Sequence, residues 1–145
     1  MTSTVRQLLQ AKGNMVHAIS PDATVFEALE RMAAYDVGAL MVMKGNQLVG
    51  IFSERDYARK IILMGRISKD TLVGEVMTED LITINPDATV ADCMNLMTGN
   101  RIRHLPVIEN GQLVGVISIG DVVKAIMTQQ EFMIAELESY ITGSR

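Results

Sequence analysis

The chain repeats itself. Shifted by 65 positions, Pro21-Asp22-Ala23-Thr24-Val25 falls on Pro86-Asp87-Ala88-Thr89-Val90, and Gln47-Leu48-Val49-Gly50 falls on Gln112-Leu113-Val114-Gly115. Ser53 then matches Ser118, and Asp56 matches Asp121. Between positions 19–61 and 84–126, 16 of 43 aligned pairs are identical without a gap. Whatever one copy folds into, the other must fold into as well. A single unit leaves a sheet face and helices uncovered, so two like units must cover each other. The repeat is too long, and present too few times, for a solenoid.

Within each copy the pattern reads β-α-β-β-α. In the first, residues 16–19 suit a short strand, and Ser20-Pro21-Asp22 is turn chemistry. Thr24 or Asp22 caps a helix whose Val25, Ala28, Leu29 and Met32 recur at helical spacing, ending near Asp36. The apolar run 39–43 suits a buried strand. Lys44-Gly45-Asn46 turns it back into a strand over 47–53. Asp56 then opens a helix through Leu63, and residues 65–71 form a polar connector. The expected fold class is therefore α+β, with two repeats packed as a pseudo-twofold pair. Ser3 and Thr4 cap a short N-terminal helix that stops at Gly13. A long helix over 121–140 carries Val123, Met127, Ile134, Leu137 and Ile141 at heptad-like steps. That stripe covers either its own domain or a second subunit, and a homodimer is the favoured expectation. The expected boundaries are 1–14 for an N-terminal helical segment, 15–66 and 67–128 for the repeats, and 129–145 for a C-terminal extension.

The chain's 145 residues are 48% hydrophobic and 21% charged, which argues against global disorder. A net charge of −4 gives no support for a general nucleic-acid or anionic-membrane surface. The single cysteine, Cys93, has no internal disulfide partner and reads as a small buried thiol. No secretory pattern and no membrane-length apolar run occur, so a soluble, cytoplasmic protein is the default expectation. Eleven Met with only three Phe and three Tyr suit an adaptable core.

Catalytic signatures are missing. There is no phosphate-binding Gly-x-x-x-x-Gly-Lys loop and no Gly-x-Ser-x-Gly elbow. His17 and His104 belong to no metal-spaced cluster, so no metal site is expected. The two Ser-x-x-Asp turns are different. Each follows a strand and opens a helix, where Ser and Asp are favoured caps. A carboxylate there can also accept both hydroxyls of a ribose, and the free N–H groups of a helix start favour anions. Arg55, Arg103 and His104 can supply positive charge to a phosphate. Arg59 and Lys124 are as readily explained by solvation. Capping and ribose binding both remain open on these residues.

The tandem units, with Pro-Asp-Ala-Thr-Val, Leu-Val-Gly-Ile/Val-x-Ser-x-x-Asp, Arg103-His104-Leu105-Pro106-Val107 and the intervening Val76-Met77-Thr78, resemble a pair of cystathionine-β-synthase (CBS) domains, the Bateman module. The likeness spans about residues 16–126. The stretch 53–60 makes it most similar to the small stand-alone bacterial type. The resemblance implies an adenosine-containing effector such as AMP, ADP, ATP, NAD or S-adenosylmethionine, bound in the cleft between the sheets. It implies ribose contacts at Ser53 and Asp56 in one site and at Ser118 and Asp121 in the other. Arg103 and His104 would meet phosphate. Main chain at Val16, His17 and Ala18, and at Leu81, Ile82 and Thr83, would face adenine, with Ile51 and Val116 as apolar walls. Gly38-Ala39 stands where the second copy has Arg103-His104, so the sites are not equivalent. The implied function is a non-catalytic nucleotide sensor acting on a separate protein or on its own dimer. A ligand-free structural module is the alternative, and a nucleotide-processing enzyme is the third.

Overall fold

The computed structural model describes residues 3–142. Helix α1 (Val5–Lys12) leads into strand β1 (Ala18–Ile19), helix α2 (Val25–Tyr35), strands β2 (Ala39–Lys44) and β3 (Gln47–Ser53), and helix α3 (Glu54–Asp56). The chain continues as a π-helical stretch over Tyr57–Ile62. Beyond a connector lie α4 (Val73–Val76), α5 (Val90–Asn100), β4 (His104–Glu109), β5 (Gln112–Ser118) and α6 (Ile119–Thr142). The two repeats form an α+β pair, each with its own sheet and its own core.

The duplication reaches into fine detail. Thr24 caps α2 by accepting from the Glu27 N–H, and Thr89 caps α5 by accepting from Asp92. Both helices end on a left-handed residue, Asp36 and Arg101, each at φ 54°. The β2–β3 and β4–β5 hairpins carry register shifts at matching places, between Val42 and Met43 and between Val107 and Ile108. The hairpin turns differ. Gly45 alone has positive φ in the first, whereas Asn110 and Gly111 both do in the second.

Two expected elements are shorter or placed differently. The opening strand of the first repeat is Ala18–Ile19, not 16–19, and it runs parallel to β2. In the second repeat it shrinks to one parallel bridge, Ile84 to Val107. The cause is chemical. Met41 donates its N–H to His17 O at 3.0 Å, but the matching residue is Pro106, which has no N–H. The helix expected to open at Asp56 instead starts at Glu54, with Ser53 as cap.

The segment preceding each repeat closes the other repeat. Val73 and Val76 belong to the first core, with Ile19, Val25, Leu40 and Phe52. Val5 belongs to the second, with Val90, Met97, Leu105 and Ile117. The backbone bonds match one for one. Thr71 O accepts from Val25 N, Val73 N donates to Ala23 O, and Gly74 N donates to Pro21 O, at 2.8–2.9 Å. Ser3 O accepts from Val90 N, Val5 N donates to Ala88 O, and Arg6 N donates to Pro86 O, over the same range. This exchange explains the repeated glycine of Leu-Val-Gly. A Cβ on Gly50 would lie 2.6 Å from Met77 Sδ, and one on Gly115 would lie 2.6 Å from Leu9 Cδ2. The arm of each partner presses against bare backbone there.

Helix α6 extends well past the repeat. Val123, Met127, Ile134, Leu137 and Ile141 are all exposed along it. The stripe therefore does not cover its own domain.

Candidate functional site

Both Ser-x-x-Asp turns are reciprocal caps. Ser53 Oγ accepts from the Asp56 N–H at 3.2 Å, and Asp56 Oδ2 accepts from the Ser53 N–H at 2.9 Å. At the second turn the same two bonds measure 3.2 and 2.8 Å. Each aspartate holds the first turn of a helix beside its strand end, and the N-terminal partial charge of that helix favours the carboxylate.

Beyond the cap the twins part. Asp56 is nearly sealed, its side chain 8% exposed. Oδ2 also accepts from Ser53 Oγ at 3.0 Å, and Oδ1 accepts from Thr78 Oγ1 at 2.9 Å and lies 3.0 Å from Lys60 Nζ. Thr78 additionally pairs its main chain with Ile51 in both directions, at 2.9 and 2.8 Å. The first box is thus closed by Lys60 from the following turn and by Thr78 from the segment that follows α4. Asp121 keeps 21% of its side chain exposed. Its Oδ2 meets Lys12 Nζ at 2.6 Å, and its Oδ1 accepts no hydrogen bond among the described residues. Lys12 also donates to Val116 O at 2.9 Å. One flexible side chain from α1 stands where the first repeat has Thr78.

A cavity of about 270 Å³ opens beside this second box. Val116 and Ser118 of β5 line it, with His104 at the start of β4. The first repeat contributes His17 and the Val37-Gly38-Ala39 strand start, and α1 contributes Lys12. The structure therefore brings His17, His104, Val116 and Ser118 together, with Asp121 reached through Lys12. Val16 and Ala18 flank His17 in the chain without lining the cavity. The His17 ring stacks on Tyr35 at 4.3 Å between centroids. Gly38 sits tightly, since a Cβ would fall 2.7 Å from Glu54 Oε1 and 4.0 Å from His104 Cε1. The Gly-Ala pair in the first copy makes room where the second copy carries Arg103 and His104.

The other residues expected to contact a ligand do not line this cavity. Ile51 is engaged through Thr78. Ile82 packs against the second core, and Leu81 is half-buried. Thr83 lines a separate open groove of about 630 Å³ beside Asn85, Asp92 and Leu96 of α5. Arg55 turns away to donate to Arg101 O at 2.7 Å, tying the repeats together. Arg103 is exposed, and its carbonyl accepts from the Ile119 N–H at 2.8 Å. Lys12 had no signal in the sequence, while Thr78 and Lys60 stood out only as members of the Val76-Met77-Thr78 motif and the 53–60 stretch, not as partners of Asp56.

Electrostatics separate the groups further. Burial pushes the His104 imidazole below its ordinary value, ahead of the opposing pull of Asp121, and Lys12 and Arg103 add to the lowering. His104 thus meets the cavity as a neutral donor and acceptor. Burial works to raise the Asp121 carboxyl, but the bonds from Lys12 and Ser118 outweigh it and hold the group below its ordinary value. Asp121 is an anion at neutral pH. Cys93 is buried, and desolvation pushes its thiol up to about 11. Among the described residues no cluster of three His, Cys, Asp or Glu could hold a metal, and no helix is long and apolar enough to cross a membrane.

Known proteins share this architecture. Residues 14–63 and 73–128 each match the CBS domain family. The chain is 44% identical over 151 residues to the CBS domain-containing protein CBSX3, mitochondrial, of Arabidopsis thaliana, covering 98% of this chain and 73% of the relative. A solved structure of a proposed signal-transduction protein with CBS domains from Burkholderia ambifaria MC40-6 superposes with a TM-score of 0.86 at 44% identity, covering 88% of this chain and 96% of that one. The hexameric CBS-CP12 protein from bloom-forming cyanobacteria superposes at 0.74 with 29% identity, covering 85% and 71%. CBS-domain proteins of this kind are signal-transduction or regulatory modules. With both halves of the duplication matched in turn, the chain belongs to the CBS domain family and is a tandem CBS pair.

Proposed function

We propose that this CBS pair is a non-catalytic sensor that binds one adenosine-containing nucleotide, AMP, ATP or NAD, in the cavity beside Ser118 and Asp121. The observation that carries the reading is that cavity's composition. Apolar walls from Val37, Met41 and Val116 and the Lys12 cation line it, and the partly exposed anionic carboxylate of Asp121 lies behind Lys12 at a helix start. Those are the groups a ribose diol, a purine and a phosphate require. The volume of about 270 Å³ lies just below the range of roughly 300–1,000 Å³ usual for small-molecule sites. Both repeats line the cavity, so a ligand there contacts both halves. It shifts their arrangement only by binding one arrangement more tightly than the other. Asp56, already surrounded by donors, is assigned the structural role alone.

Calorimetry and thermal melting with AMP, ATP and NAD test this. A ligand at 100 times its dissociation constant stabilises the fold by about 2.7 kcal/mol. Asp121→Ala is expected to abolish that shift. No heat and no shift with any of the three ligands would leave the cavity without the assigned role and favour a purely structural module. Turnover of the ligand during the assay would instead indicate an enzyme.

The exposed apolar stripe of α6 supports a second element of the reading, a homodimer through this helix. The cyanobacterial relative, described as hexameric, provides a precedent for assembly. Sedimentation showing monomers at micromolar concentration would overturn it. An output partner would then be a separate protein reading the ligand state of the pair.

A further inference from the structure

We propose that Lys12 is the exchangeable cation of the site: its ammonium plugs Asp121 in the empty state and moves to the ligand's phosphate when a ribose takes its place. The inference rests on the nucleotide reading above. It comes from comparing the two boxes atom by atom.

In the first repeat, Asp56 Oδ1 is satisfied by Thr78 Oγ1 at 2.9 Å, and Ile51 O by Thr78 N at 2.8 Å. Both donors sit on a backbone segment locked into the sheet edge. In the second repeat one atom, Lys12 Nζ, reaches both the matching carbonyl, Val116 O, at 2.9 Å and the carboxylate of Asp121, at Oδ2, at 2.6 Å; Oδ2 also accepts from the Ser118 N–H, and Oδ1, the counterpart of Asp56 Oδ1, accepts no hydrogen bond among the described residues. A backbone pair cannot leave without breaking the sheet edge. A lysine head on a four-carbon stem can leave by rotating. The duplicated box is therefore closed permanently in one copy and reversibly in the other.

The position of Lys12 also decides what happens on binding. A vicinal diol that donates to both oxygens of Asp121 finds Oδ1 open but meets the ammonium at Oδ2, so diol and ammonium compete there. A ligand with a phosphate gives the displaced ammonium a new partner, and a bare nucleoside does not. Lys12 thus discriminates nucleotide from nucleoside. It also couples the site to α1, because it is that helix's last residue, followed by Gly13 at φ 90°. The same helix is anchored in the second core by Val5 and pressed on Gly115 by Leu9. A ligand that draws Lys12 off Asp121 therefore acts directly on the arm that joins the two repeats.

The test compares adenosine and AMP binding by calorimetry on the full chain, for wild type, Lys12→Met and Lys12→Arg. Lys12→Met keeps the stem and removes the charge at a half-exposed position, so folding is preserved. Loss of one charge-assisted contact predicts a fall of about tenfold or more in the AMP-to-adenosine affinity ratio. Adenosine itself binds more tightly once the plug is gone, and Lys12→Arg keeps the wild-type preference for AMP. Adenosine binding by Lys12→Met but not by wild type also supports the plug. Binding of both ligands with an unchanged ratio in Lys12→Met overturns the role of Lys12 and leaves the nucleotide reading standing. Binding of neither ligand by wild type and by Lys12→Met overturns both.

Discussion

Asp56 and Asp121 occupy twin positions in the sequence, so alanine substitutions at the two should be energetically unequal only if the tertiary contacts differ as described. Asp56→Ala removes the acceptor for the Ser53 N–H, the Ser53 hydroxyl and the Thr78 hydroxyl. Two of these, the Ser53 amide and Thr78, are left part-buried without an equivalent partner. Each orphaned donor costs about 1–3 kcal/mol. The Lys60 pair adds little, since its ammonium is 41% exposed and screened by water. The total is about 2–6 kcal/mol, centred near about 4. Asp121→Ala orphans only the Ser118 N–H and releases Lys12 to solvent, a loss of about 1–2 kcal/mol. The difference of about 2–3 kcal/mol corresponds to roughly 6–9 °C in melting temperature for a chain near this size. Thermal unfolding followed by circular dichroism, without nucleotide, measures it. Variants melting within about 2 °C of each other, or Asp121→Ala melting first, would refute the division between a sealed structural box and an open one.

The glycines of the repeated Leu-Val-Gly should also separate. Gly50→Ala drives a Cβ to 2.6 Å from Met77 Sδ and 3.1 Å from Thr78 O, a carbonyl held by the Ile51 N–H, and costs about 1–3 kcal/mol. Gly115→Ala meets only the movable tips of Leu9 and costs less; melting Gly115→Ala below Gly50→Ala would contradict the arm packing. His104 predicts a pH effect. Its folded pKa is lowered by burial, against Asp121 and Glu54 and with Lys12 and Arg103, while the unfolded imidazole titrates near about 6.5. Below that value the unfolded chain takes up a proton that the fold refuses, so stability falls with pH until the lowered folded pKa is passed. His104→Gln flattens the stability profile from about pH 6.5 down to the lowered folded pKa; an unchanged slope would show that His104 is not the group responsible. Asp121, whose folded pKa is also lowered, contributes stability above about pH 3.9 that is lost as pH falls through its folded value.

Much of this molecule is written in short-range chemistry. The Thr24, Thr89, Ser53 and Ser118 caps, both hairpins and the long last helix depend on residues three or four apart, or on a turn of two. Such contacts survive wherever the segment goes, so the sequence pattern reveals them. The errors fell where a distant residue intervened. The second repeat lost its opening strand because Pro106, in another strand, has no N–H to give. At the first box Thr78, which follows α4, bonds both Ile51 and Asp56 from 22 or more positions away.

The duplication by itself determined the fold class, the pairing of the repeats and the location of two helix-opening Ser-Asp boxes. Only the tertiary structure decided which arm enters which core and which box stays open. Val5 and Val73 are apolar in either case, and hydrophobicity does not name the core that buries them; complementary shape at Gly115 and Gly50 does. The boxes are alike in sequence and become unlike through donors brought from far along the chain: a backbone-locked Thr78 at Asp56, and a mobile Lys12 at Asp121.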